Sequence, residues 1–111
     1  MANTTYKLLG QISVTSNAIA NLYVTPASNS AIVSTITISN HHVTDSVNYH
    51  IIVRPINETL NAKHYIANSQ SLLPSEMKTI KGSVTMPENT ILGVRANADT
   101  ISFNAYGAEI N

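Results

Sequence analysis

The fold class of this chain is decided by the run Ala31-Ile32-Val33-Ser34-Thr35-Ile36-Thr37-Ile38-Ser39. Six of its nine residues are β-branched, and such side chains pack well on a pleated strand. Side chains alternate along a strand, so one face should carry Ile32, Ile36 and Ile38, and the other Val33, Thr35 and Thr37. Because both faces are β-branched, we expect a central strand, covered by the core on one side and by a neighbour or partner subunit on the other.

Seven further β-rich runs surround this one, separated by turn signals rich in Pro, Asn, Ser and Asp. The eight runs are Thr5–Val14, Ile19–Val24, Ala31–Ser39, Val47–Arg54, His64–Asn68, Met77–Ser83, Ile91–Ala96 and Ile101–Ile110. This spacing predicts an all-β fold, an antiparallel β-sandwich of about eight short strands, either jelly-roll-like or immunoglobulin-like. Pro55 should end the fourth strand, because proline cannot donate to a sheet. The irregular segment that follows could hold one helical turn over Glu58–Ala62.

Two runs alternate in the manner of half-buried strands. In the last run Ile101, Phe103 and Ala105 share one side, with polar residues between them. In the fourth run four residues share a face, with Ile52 as the exception on the opposite side: Val47, Tyr49, Ile51 and Val53.

The length and composition of the chain also favour a β-sandwich. The 111 residues suit one core, and we predict a single β-sandwich domain over residues 1–111, from which residues 1–5 could extend as an N-terminal arm. Charged residues make up 11% of the chain, against about 25% in an average globular protein. Asn, Ser and Thr supply a third of it, which favours strands and turns.

Several classes of function are disfavoured by the same composition. Net charge is zero and no Lys or Arg cluster exists, so we expect no nucleic-acid partner. The chain has no cysteine, so disulfides and thiolate metal sites are excluded. The N-terminus lacks the basic and apolar regions of a signal peptide, and no apolar run could span a bilayer. We therefore expect that the chain is made and stays in a cytoplasm unless a larger particle carries it out, and we expect no membrane partner.

No catalytic or metal-binding constellation stands out. The four histidines include the adjacent pair His41-His42, whose side chains would point to opposite faces of a strand, whereas zinc needs three or four convergent ligands. The sequence has no nucleophile elbow, its six acidic residues are scattered, and its four glycines form no phosphate-binding loop. We predict no catalytic residue, no metal and no cofactor, and therefore no enzyme.

Binding through surface side chains is the better-supported alternative. Five tyrosines are almost the only aromatic residues, and tyrosine is favoured at protein contacts. Most should lie on sandwich faces, with Tyr6 the strongest candidate to reach a neighbouring subunit from the polar segment Ala2–Lys7. The interface residues predicted from the sequence are Tyr6, Lys7, His41, His42 and Tyr65.

Six stretches carry a resemblance to a known family. They are Tyr6-Lys7-Leu8-Leu9-Gly10-Gln11, Asn21-Leu22-Tyr23-Val24-Thr25-Pro26-Ala27, the run from Ala31 to Asn40, Arg54-Pro55, Lys63-His64-Tyr65-Ile66, and Phe103-Asn104-Ala105-Tyr106-Gly107-Ala108-Glu109-Ile110. Together they resemble the small all-β virion structural proteins of tailed bacteriophages. That family typically has a glycine where this chain has Ser28, and the pair His41-His42 is not part of its pattern. The resemblance implies a β-sandwich subunit of a virion.

Three functions are consistent with these observations. The first is a capsid decoration or auxiliary head protein that binds the outer shell as a homo-oligomer, with itself and the major capsid protein or another virion protein as partners. The second is a structural subunit of the tail, neck, baseplate or fibre attachment. The third is a carbohydrate-binding module or adhesin that uses exposed tyrosines and loop Asn or Asp side chains.

Overall fold

The computed structural model describes residues 4–110, and its architecture is all-β, as the sequence predicts. Its eight strands are β1 (Thr4–Ser13), β2 (Ala20–Val24), β3 (Ser30–Asn40), β4 (Val47–Pro55), β5 (Tyr65–Leu72), β6 (Met77–Met86), β7 (Thr90–Ala96) and β8 (Ile101–Ile110). Each overlaps one of the predicted runs, although β5 and β6 extend beyond the predicted ends to Leu72 and Met86, and β4 ends at Pro55. The strands form two antiparallel four-stranded sheets, called here the first sheet (β1-β8-β3-β6) and the second sheet (β2-β7-β4-β5).

The strand order is that of a jelly roll. The pairs β1 with β8, β2 with β7, β3 with β6 and β4 with β5 are those of one long hairpin, which is then wound into two facing sheets. An immunoglobulin sandwich distributes its strands differently between its sheets. The topology therefore selects the first of the two predicted sandwich types.

The core lies between the two sheets and follows the predicted alternation. Ile101, Phe103 and Ala105 of β8 are fully buried, and so are Tyr49 and Ile51 of β4. The rings of Tyr49 and Phe103 meet edge to face at 6.4 Å between centroids, which joins the two sheets through an aromatic pair.

The central position of β3 is confirmed, since it lies between β8 and β6, but the predicted grouping of its side chains is wrong. A β-bulge between Val33 and Thr35 inserts Ser34 into the pairing with β8, and the register with β6 shifts at the same point. The extra residue reverses the alternation, so Val33 is buried on the same side as Ile36. Ile32 consequently lies on the outer face, at the register position of Ala108.

Two local predictions are corrected by the structure. The predicted turn over Glu58–Ala62 is not formed: the chain bends at Glu58 and is irregular over residues 59–61, and the short helical element is a 3-10 turn over Ala62–His64. The backbone N–H of Asn61 donates to His64 Nδ1 at 2.9 Å, which fixes the start of this turn. Of the predicted arm, residues 1–3 lie outside the described residues, whereas Thr4 and Thr5 belong to β1, opposite Ile110 and Glu109 of β8.

Candidate interaction surfaces

The outer face of the first sheet carries an apolar area at the end where β1 begins. We call it the tyrosine face and define it by Tyr6, Leu8, Ile32, Tyr106, Ala108 and Ile110. Tyr6 is 83% exposed, and it stands opposite Ala108, which in turn stands opposite Ile32. The next outward row pairs Leu8 with Tyr106. A shallow apolar hollow of about 290 Å³ lies among Tyr6, Ile32, Ala108 and Ile110.

The tyrosine face carries no charged side chain, because the charges of its strands are directed elsewhere. Lys7 Nζ lies 3.0 Å from Glu109 Oε1, and the Tyr23 hydroxyl of the second sheet donates to the other oxygen of that carboxylate. The hydrogen bond from Tyr23, followed by that from Lys7, lowers the pKa of Glu109. Burial, and then the Glu109 carboxylate, raise the pKa of Tyr23. Lys7 thus belongs to a bridge between the sheets.

The predicted pair His41-His42 lies in the loop after β3, at the opposite end of the sheet from Tyr6. His42 Nδ1 accepts hydrogen bonds from the backbone N–H groups of Thr44 and Asp45, at 3.2 and 3.1 Å. His42 Nε2 lies 3.3 Å from the Asp45 carboxylate, and His41 Nε2 lies 3.0 Å from Ser102 Oγ. These contacts organise the loop.

The five predicted interface residues therefore lie in three separate places. Tyr65 lies on β5 in the second sheet, half-buried, with its ring edge-on to His50 at 5.8 Å. Of the five residues, Tyr6 is the one that lies on the apolar tyrosine face. The contact role of each remains a prediction.

A second surface, which the sequence analysis missed, is a groove of about 500 Å³ on the outer face of the second sheet. We call it the Arg54 groove. Its apolar floor comes from Ile19, Ile52, Ile91 and Gly93, and its rim includes Asn21, Arg54 and the segment Asn57–Leu60. Ile52, the exception to the alternation in β4, is the one sequence signal for it, because this side chain faces away from the core yet is only 2% exposed.

Of the two charged residues at the rim, Glu58 forms ion pairs, whereas Arg54 forms none among residues 4–110. The Glu58 carboxylate lies 3.1 Å from Lys63 Nζ and 3.2 Å from His64 Nε2, and hydrogen bonds from these two groups lower the pKa of Glu58. Arg54 Nη1 instead donates to the backbone carbonyl of Glu58 at 2.8 Å. No carboxylate among residues 4–110 lies within ion-pair distance of the Arg54 guanidinium.

Within residues 4–110, no three His, Asp or Glu side chains converge into a group that could hold a metal ion. The described structure also contains no helix with the length and apolar character needed to cross a membrane.

No protein-family model and no curated protein matches this sequence. The fold does match chains of solved viral particles. A chain of the T13 particle of infectious bursal disease virus matches with a TM-score of 0.55 and 10% identity, over 98% of this chain and 30% of that one. A chain of the acid-stable capsid of Helicobacter pylori bacteriophage KHP30 matches with a TM-score of 0.53 and 15% identity, over 100% of this chain and 94% of that one.

The two matches differ in extent. This chain spans about a third of the bursal disease virus chain and nearly the whole of the bacteriophage chain. At 10% and 15% identity the likeness is one of fold, the jelly roll that the strand order independently defines.

Proposed function

We propose that this chain is a non-enzymatic structural subunit of a bacteriophage particle, a decoration protein that binds the outside of the capsid as a homo-oligomer. The observation that carries the proposal is the full-length match of this jelly roll to a chain of nearly the same length in a bacteriophage capsid. The resemblance of the six sequence stretches to tailed-phage virion proteins supports the same assignment. In this role the protein acts by association alone.

The tyrosine face is the proposed contact between copies. Its strands present no charge at their outward positions, so two copies can approach without like-charge repulsion. Tyrosine supplies a large contact area at a small loss of side-chain entropy, which suits Tyr6 and Tyr106 to an interface.

Self-association would also explain how a small subunit holds to a shell. An oligomer presents several copies of the same shell-binding surface at fixed spacing, and each contact after the first forms within the complex already bound. Modest contacts on each copy then sum to tight attachment. The alternative function, as a structural subunit of the tail, neck or baseplate, uses the same association chemistry at a lower copy number.

Quantitative mass spectrometry of purified particles of the virus that encodes this chain tests the assignment. A copy number comparable with that of the major capsid protein supports the decoration role. A small fixed number, as in a single ring, moves the chain to the neck, tail or baseplate. Absence from the particle refutes a virion function.

The contact between copies is tested separately by light scattering of the purified protein after size-exclusion chromatography. Tyr6→Lys places a charge on the neutral face and is expected to shift the oligomer to monomer. Val43→Lys is the matched control, because Val43 is 77% exposed in the loop at the other end of the sheet. A wild-type protein that is monomeric throughout, or a Tyr6→Lys protein that keeps its oligomer, refutes the tyrosine face as the contact.

A further inference from the structure

The Arg54 groove has the features of a binding site that the proposed contact between copies does not use. We propose that it binds a short peptide segment of another protein, in which an acidic side chain stands next to aliphatic ones. This inference does not depend on the virion function, since it rests on the shape and charge of the groove alone.

The size and floor of the groove fit aliphatic side chains. Its volume of about 500 Å³ falls within the range of about 300–1,000 Å³ found for ligand-binding clefts. The floor is formed by Ile19, Ile52 and Ile91, which come from the segment before β2, from β4 and from β7. An apolar side chain placed there would leave water for a surface that is already apolar.

Gly93 gives the floor its depth without being needed for packing. A methyl group on Gly93 would stand 3.6 Å from Ile19 Cγ2 and 3.8 Å from the Ile52 Cβ, which are ordinary van der Waals distances. Glycine also weakens a strand interior relative to residues with a side chain. The folded structure therefore tolerates a side chain at this position, and its absence keeps the groove open.

The charge of the occupant follows from Arg54. A guanidinium has five N–H donors, and the single hydrogen bond described for Arg54, to the Glu58 carbonyl, orients the group without neutralising it. Glu58 itself is engaged by Lys63 and His64 and does not compensate the Arg54 charge. A carboxylate above Arg54 would form the charge-assisted, bidentate pair that arginine favours.

The rim favours a peptide over a small carboxylic acid. Asn21, Asn57 and Thr59 line it with uncharged amide and hydroxyl groups. Such side chains both donate and accept hydrogen bonds, which is what the N–H and C=O groups of an extended backbone require. The acidic side chain then decides orientation, and the aliphatic ones supply buried area.

NMR titration of the 15N-labelled protein with defined probes tests this proposal. The probes are a capped tetrapeptide of alternating leucine and glutamate, its glutamine analogue and its lysine analogue. We expect the glutamate peptide to shift the amide signals of Thr59, Leu60 and Gly93, and to bind about tenfold more tightly than the glutamine peptide. The lysine peptide should bind most weakly, because Arg54 repels it.

Three variants assign the effect to the groove. Arg54→Gln should abolish the preference for the glutamate peptide, whereas Arg95→Gln, on the same sheet face but outside the groove, should leave it unchanged. Gly93→Val should weaken binding of all three peptides by filling the floor. If the NMR spectrum of Gly93→Val lacks the dispersion of a folded protein, the comparison of Arg54→Gln with Arg95→Gln is sufficient to test the proposal.

Three results would overturn the proposal: no shift of the groove amides with the glutamate peptide, equal affinity for the three peptides, or the same loss in Arg95→Gln as in Arg54→Gln. The remaining alternative is a site for small amphiphiles. Sodium octanoate, which has a carboxylate and an aliphatic chain but no peptide backbone, tests this alternative. If octanoate binds the groove more tightly than the glutamate peptide, the groove is a site for small amphiphiles and the peptide assignment is wrong.

Discussion

The side-chain nitrogen of Asn40 donates a hydrogen bond of 3.0 Å to the backbone carbonyl of Asp45, in the loop between β3 and β4. The same nitrogen lies 3.1 Å from the carbonyl oxygen of Leu73, in the loop between β5 and β6. The side-chain oxygen of Asn40 accepts from the backbone N–H of His42 at 3.0 Å and from the Thr100 hydroxyl at 3.4 Å. One buried amide thus ties together three loops at this end of the sandwich.

Replacing this amide should therefore be costly. Asn40→Ala is expected to lower the free energy of unfolding by about 2–4 kcal/mol, because buried carbonyl groups of two loops lose their donor. Urea denaturation at neutral pH measures the change. Asn104→Ala is the matched control on the outer face of the same sheet, and it should stay within about 0.5 kcal/mol of wild type. Equal effects of the two variants would contradict the role of Asn40.

The bridge from Lys7 and Tyr23 to Glu109 predicts a dependence of stability on acid pH. Because both neighbours lower the pKa of Glu109 in the folded protein, its stabilising effect is present above the ordinary glutamate pKa of 4.5 and is lost as pH falls through the lower folded value. Glu109→Gln should be less stable than wild type at pH 7, and the difference should begin to shrink near pH 4.5 and disappear only below the lowered pKa of Glu109. Urea denaturation at a series of pH values from 7 to about 2 tests this expectation. A difference that stays constant with pH would show that the charge of Glu109 does not contribute.

The backbone of β3 approaches β8 closely at Gly107. A methyl group there would overlap the backbone carbonyl oxygen of Ile32, next to the bulge at Ser34, and backbone cannot give way as a side chain can. Gly107→Ala is expected to cost about 3 kcal/mol or more, or to prevent folding. Gly82→Ala, at a strand position with open space around it, should be tolerated. Thermal unfolding followed by circular dichroism compares the two, and similar melting temperatures would be inconsistent with this close approach.

Ser28, in the turn between β2 and β3, has a φ of 69°, which is in the left-handed region. Ser28→Gly removes the steric penalty of a Cβ there, about 1–2 kcal/mol, and adds about 0.5–1 kcal/mol of unfolded-chain entropy. The net gain of roughly 0.5–1 kcal/mol should raise the melting temperature by about 2–6 °C. Asn29→Gly, at a neighbouring position outside the left-handed region, should lower it. A Ser28→Gly protein that melts below wild type would show that the turn does not store this strain.

The sequence determined where the strands lie. Alternation in β8 and β4, the β-branched residues of β3 and the break at Pro55 are local properties, because side-chain direction and proline chemistry depend on the residue and its immediate neighbours. The predicted assignment of β3 side chains to the two faces of the sheet was wrong. A bulge arises from the pairing of a strand with its partner, so the insertion of Ser34 and the outward turn of Ile32 could not be read from β3 alone.

The surfaces were decided by the tertiary structure. Tyr6 was predicted as a contact residue from its type and position, but its apolar neighbours Ile32 and Ala108 come from strands far apart in the chain. The Arg54 groove likewise needs Ile19 and Ile91 to meet Ile52 across three strands, and only the winding of the jelly roll brings them together. Local periodicity determines which segments become strands, whereas long-range pairing, which no single segment encodes, determines which side chains share a surface.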